Sequence, residues 1–133
     1  TPFRTTDMVE RMKRFGQGGL MTVSLFLTWV VVWSIKVLVA HPRPFITIAD
    51  ISPLVSAAPF ESFPSAHAAF AMTIAIAVLP YHKRLGQLLV AFAFIVGLSR
   101  LYVGVHYPID VVAGLLIGFL IPTVIHRVFK KDT

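Results

Sequence analysis

Apolar residues crowd into four stretches, separated by short polar or proline-rich segments. Residues 20–40 read LMTVSLFLTWVVVWSIKVLVA, with Lys36 as the one charge. A helix of that length is about 30 Å long, enough to cross a bilayer core. Residues 66–79 form a shorter run that ends at Pro80. As a helix it covers about 21 Å, so one end is expected to start below the membrane surface, shielded inside protein. Residues 85–105 carry Arg100 near their far end, and residues 109–129 contain Pro122, which is expected to kink the helix. The pattern predicts an all-α transmembrane bundle of about four spans, a single domain over 1–133. Residues 1–19 hold Gly16, Gly18 and Gly19 and are expected to form a loop or interfacial segment. The first residue is Thr and no signal peptide is visible, so the chain is expected to be the C-terminal part of something longer.

Composition narrows the classes. Apolar residues make up 56% of the 133 residues and charged residues 14%, too few charges to cover a soluble surface. So apolar a chain is not intrinsically disordered. With no cysteine, it is neither a disulfide-stapled domain nor a thiolate zinc site.

The net charge of +6 does not call for nucleic acid, because a membrane protein collects Lys and Arg in its cytoplasmic loops. Arg4, Arg11, Lys13 and Arg14 precede the first span. Lys83 and Arg84 follow the second, and Arg127, Lys130 and Lys131 stand at the end of the fourth and in the tail. With four spans all of these fall on one side, against Lys36, Arg43 and Arg100 on the other. Both termini are then expected in the cytoplasm, with the 41–65 loop and the 104–108 turn facing outward.

Ionisable residues in or near spans carry the functional information, and here they form three groups at the outward ends. Lys36 and Arg43 stand seven apart, with Pro42 and Pro44 ending the helix nearby. Two cations there suit an anion, although snorkelling to headgroups is the blander account. Next, Ser62 to His67 read S-F-P-S-A-H before an apolar run, a helix start whose first amides lack intrahelical partners and form an anion site. Ser65 as a simple cap and His67 as a packed side chain is the alternative. Finally, Ser99, Arg100, His106 and Asp110 lie in S-R-L-Y-V-G-V-H-Y-P-I-D. His106 and Asp110 are four apart, so on a helix a carboxylate orients an imidazole and leaves its other nitrogen as nucleophile or base. An Arg100–Asp110 ion pair is the structural alternative. Together the groups suit phosphoryl transfer through a covalent intermediate, with cations and amides holding the equatorial oxygens.

These motifs resemble the signature of the type 2 phosphatidic acid phosphatase superfamily: K-x6-R-P, P-S-x-H and S-R-x5-H-x3-D, in that order over roughly residues 30–125. The resemblance implies His106 as the nucleophile that becomes phosphohistidine, Asp110 as its orienting partner and His67 as the acid for the leaving group. It implies Lys36, Arg43 and Arg100 as the phosphate clamp and Ser65 with the Ala66 amide as its floor. No metal or cofactor is implied. Ala66 replaces the family's usual Gly, which is harmless in a helical first turn, and full members commonly have six spans.

The set H-P-R-P-F with S-F-P-S-x-H is similar to bacterial carrier-lipid phosphatases, which implies undecaprenyl diphosphate as substrate. It also implies the cell membrane as location, with the site facing outward. Phosphatidic acid or phosphatidylglycerol phosphate is the alternative substrate, and a lipid phosphotransferase the alternative chemistry. Vanadium-dependent haloperoxidases share the anion pocket but are soluble. A non-catalytic lipid-binding membrane protein is the rival of a different class. The expected partners are the lipid phosphate and membrane lipids, with no nucleic acid; the sequence leaves the oligomeric state open.

Overall fold

The computed structural model describes residues 3–130, with side chains from Asp7 onward. The side chain of Arg4 and the whole of Lys131, both used in the charge argument, lie outside the described residues. The chain forms α1 (Phe3–Val39), a short α2 (Pro44–Thr47), α3 (Ala66–Val78), α4 (Lys83–Tyr102) and α5 (Pro108–Lys130). Among the described residues there is no strand. α1, α4 and α5 are long and apolar enough to cross a membrane, and the protein is an integral membrane bundle.

α3 is the hub. Its 13 residues cover about 20 Å, and it packs against α1, α4 and α5, whereas α1 and α4 do not meet. Its sequence explains this position. Ala68, Ala69, Met72, Thr73 and Ala75 are buried, and alanines let neighbouring backbones come close. Gly114 and Gly118 of α5 lie against it. A methyl on Gly114 would strike the Ser65 carbonyl oxygen and sit 3.2 Å from Ala68 Cβ; one on Gly118 would strike the Ala69 carbonyl oxygen. The G-x-x-x-G therefore serves packing within the chain. Deep in the bundle Thr28 of α1 bonds Thr73 of α3, Oγ1 to Oγ1, at 2.9 Å.

One expectation is corrected. Residues 3–19 are not a loop, because α1 runs unbroken from Phe3 to Val39. Each of Gly16, Gly18 and Gly19 has open space where a side chain would stand, and flanking helix formers carry the helix through them. Trp29 and Trp33 lie mid-span yet are 50% and 46% exposed. α1 meets only α3 and α5, so the face carrying both tryptophans is left outward, where Trp29 stacks on Phe26 at 6.2 Å.

The ends of the bundle follow from the alternating direction of the helices. One end gathers the C-terminus of α1, the N-terminus of α3, the C-terminus of α4 and the N-terminus of α5. The 41–65 loop covers it, tied down by Arg43 N to Pro59 O at 2.9 Å, Ser62 N to His41 O at 3.1 Å and Leu54 N to Val103 O at 3.0 Å. Ala40 takes a left-handed φ of 46° just past α1, and Gly104 takes φ 80° in the turn before α5. These two residues turn the chain sharply at that end.

Candidate active site

His106 sits in the turn before α5 and Asp110 in the first turn of α5. Both are buried. His106 Nδ1 is 3.3 Å from Asp110 Oδ2. The same oxygen accepts the Tyr107 backbone N–H at 2.8 Å and a short hydrogen bond from Ser62 Oγ. Three donors on one carboxylate oxygen fix its position. Asp110 is thus held for the imidazole; the alternative Arg100–Asp110 pair is not formed, since the one ion pair among the described residues joins His106 and Asp110.

On the other side of the ring, Arg43 Nη1 is 3.2 Å from His106 Nε2. Arg43 follows α1 in extended backbone, φ −76° and ψ 159°, and Pro42 and Pro44 hold it out of any helix. Its guanidinium is anchored by Nη1 to Val105 O at 2.9 Å and Nε to Ala58 O at 2.5 Å. A guanidinium has only donors and an ionised carboxylate only acceptors. The ring therefore carries its proton on Nδ1 and its lone pair on Nε2. Burial holds His106 below the ordinary imidazole range. The Asp110 hydrogen bond opposes that shift, and the Arg43 charge adds to it.

Lys36, in the last turn of α1, is buried and donates to Glu61 O at 2.6 Å. Ser65 is the N-cap of α3: its Oγ accepts Ala68 N–H at 3.4 Å, and its own N–H donates to Asp110 O at 2.9 Å. The hydroxyl accepts the cap bond and keeps its own hydrogen to donate. What α3 offers is the amides of Ala66 and His67, which have no acceptor within the helix. Ala66 is the first helical residue and Ala40 is the one non-glycine residue with positive φ among those described, so the methyl at 66 brings no backbone strain.

His67 is exposed in the first turn of α3, within electrostatic range of Arg100, His106, Lys36 and Arg43. Arg100 closes the group from the last turn of α4, and its Nε is buried without a partner. The structure thus brings all eight expected residues to one end of the bundle. Sequence reasoning assigned no role to Ser62, although it lay inside the second motif. The Tyr107 amide was also missed, because a backbone donor leaves no mark in side-chain chemistry.

Residues 17–133 match the profile of the PAP2 superfamily. The chain belongs to the PAP2 superfamily. It is 37% identical over 92 residues to the undecaprenyl-diphosphatase BcrC of Bacillus subtilis, covering 69% of this chain and 47% of that one. Its fold superposes on the crystal structure of Aquifex aeolicus LpxE with a TM-score of 0.81 and 31% identity, covering 90% of this chain and 73% of that one. A transmembrane PAP2-type phosphatidylglycerolphosphate phosphatase from Bacillus subtilis superposes with a TM-score of 0.71 and 27% identity, covering 87% and 60%. The chain spans about half the length of the curated PAP2 relatives it matches.

Proposed function

We propose that this PAP2 chain carries the site of a lipid phosphatase that acts through a phosphohistidine, with undecaprenyl diphosphate as substrate. The observation that carries the reading is the buried imidazole with Asp110 on Nδ1 and a cation at Nε2. In this reading the Nε2 lone pair of His106 attacks the terminal phosphorus. The bond from phosphorus to the bridging oxygen breaks, and His67 gives that oxygen a proton, releasing the lipid monophosphate. Water then attacks the phosphohistidine, His67 takes a proton from it, and the P–N bond breaks to return His106 and free phosphate. Lys36, Arg43, Arg100 and the amides of Ala66 and His67 hold the equatorial oxygens as charge spreads over them. Each step uses residues of this chain, and no metal enters.

Undecaprenyl diphosphate is favoured by relatives that carry that name. A lipid phosphate monoester is the second reading, favoured by the lipid A and phosphatidylglycerolphosphate phosphatases among the relatives and structural neighbours. The test is phosphate release from both substrates in detergent with excess EDTA, by the parent and by His106→Ala. The expected result is release by the parent alone, faster from the diphosphate, with the variant down by several orders of magnitude. Equal release by both proteins would overturn the nucleophile assignment. Faster release from the monoester would move the substrate to the second reading.

A further inference from the structure

The end of the bundle away from His106 holds two adjoining cavities. One, of about 640 Å³, lies between the N-terminal part of α1 and the 79–82 turn, and Lys13, Arg14, Tyr81 and His82 line it with Glu10 as its one carboxylate. The other, of about 430 Å³, shares Lys13 and Tyr81 with it and continues to Leu20 of α1 and Phe129 of α5. Both volumes fall in the range of about 300–1,000 Å³ usual for small-molecule sites. Tyr81 meets His126 of α5 edge-on at 5.9 Å, bracing the turn against the helix.

Charge at this end is one-sided. Among the described residues, Asp50, Glu61 and Asp110 lie at the catalytic end, and only Asp7 and Glu10 lie here. Arg11, Lys13, Arg14, Lys83, Arg84 and Arg127 all lie at this end too. No ion pair among the described residues involves Lys13 or Arg14. A cavity with two cations, a phenol and an imidazole suits a phosphate anion. Its continuation carries His126 and Lys130 at its edge, and the rest of its surface is mainly apolar. That order, a charged compartment opening onto Leu20 and Phe129, matches a phospholipid's phosphate followed by its chains, and does not match free phosphate, which has no apolar part.

We infer that this end of the bundle is a second, non-catalytic binding site for the headgroup of an anionic phospholipid, gripped by Lys13 and Arg14. It is separate from the catalytic cluster by the length of the helices and does not depend on the reaction assigned there. Basic pockets between membrane helices bind such headgroups in general.

The test uses the full chain in phosphatidylcholine nanodiscs, with phosphatidylglycerol titrated in and retained lipid read by native mass spectrometry and thermal melting. The parent is expected to retain phosphatidylglycerol and melt higher with it. Lys13→Gln/Arg14→Gln should weaken retention about thirtyfold, while melting and hydrolysing like the parent in phosphatidylcholine alone. Lys36→Gln, at the catalytic end, should retain phosphatidylglycerol like the parent. Loss of retention in Lys36→Gln but not in the double variant would overturn the site. Equal stabilisation by inorganic phosphate would overturn the lipid as ligand, and equal retention of phosphatidylcholine would overturn selection by charge. If the double variant melts low in phosphatidylcholine, single Lys13→Gln carries the same comparison.

Discussion

Arg43 Nη1 stands 3.2 Å from His106 Nε2, and one arrangement of protons alone makes that contact a hydrogen bond. The ring must bear its proton on Nδ1, toward Asp110. Asp110→Asn removes the obligate acceptor. The ring can then place its proton on Nε2, where it opposes the Arg43 donors and blocks the lone pair that the reaction needs. Phosphate release by Asp110→Asn should fall by about a thousandfold or more, as when an orienting carboxylate is lost in serine proteases. The variant should stay folded by thermal melting, and steady-state phosphate release measures the loss. A drop below tenfold would mean that the carboxylate does not set the tautomer.

Ser62 Oγ donates to the Asp110 Oδ2 that faces His106. It is fully buried and its hydroxyl touches no other group that would explain it. Ser62→Ala deletes one donor to Asp110 while Tyr107 N–H stays. A hydrogen bond to a charged group contributes about 1.5–3 kcal/mol, so a loss of about ten- to a hundredfold in kcat is expected, with KM little changed. Ser62→Thr, which keeps the hydroxyl, should restore most of it. A structural role alone would lower the melting temperature of Ser62→Ala and leave kcat as it was.

Much of this site can be read from the chain before any coordinates. Lys36, Arg43, His67, Arg100, His106 and Asp110 are ionisable residues at the ends of apolar runs, where each costs too much to be incidental. Helical spacing alone puts His106 and Asp110 within reach of each other. What stays hidden is set by tertiary structure. Ser62 reaches Asp110 only because the 41–65 loop folds back over the bundle end. Ser65 reads equally as a cap or as an anion contact, and only the fold shows that it caps α3, with its hydroxyl hydrogen left to donate. The glycines before residue 20 read as a break because glycine is a poor helix former, but three glycines do not stop a helix of 37 residues. Trp29 and Trp33 lie mid-span, and a hydropathy pattern does not tell a lipid-facing side from a protein-facing one.

Glycines in this chain should respond to alanine in opposite directions. Gly114 is pressed against Ser65 and Ala68, so Gly114→Ala forces α3 and α5 apart. Over-packing of that kind costs about 1–3 kcal/mol, and it also strains the Ser65 N–H bond to Asp110 O. Melting temperature and phosphate release should both fall. Gly19 has nothing near it and lies inside α1, so Gly19→Ala should stabilise by about 0.5–1 kcal/mol without touching the reaction. Parallel thermal melts in detergent, read beside activity, separate the two. Equal effects from both substitutions would mean that α3 and α5 do not pack as closely as the structure has them.

The pH dependence follows from the state of His106. Burial, with the nearby Arg43 charge, holds its pKa below the ordinary imidazole value of about 6.5, although the Asp110 bond pulls the other way. The reactive form is neutral, because protonation consumes the Nε2 lone pair. The acid limb of kcat/KM should therefore lie below about pH 6.5. Asp110→Asn removes the interaction that raises the pKa, so whatever activity remains should have its acid limb at lower pH still. Arg43→Gln removes a charge that lowers it, so its limb should move up toward the ordinary value. A pH–rate profile of the three proteins under kcat/KM conditions reads both shifts on the acid limb. Limbs that moved together, or did not move, would place the titration elsewhere than on His106.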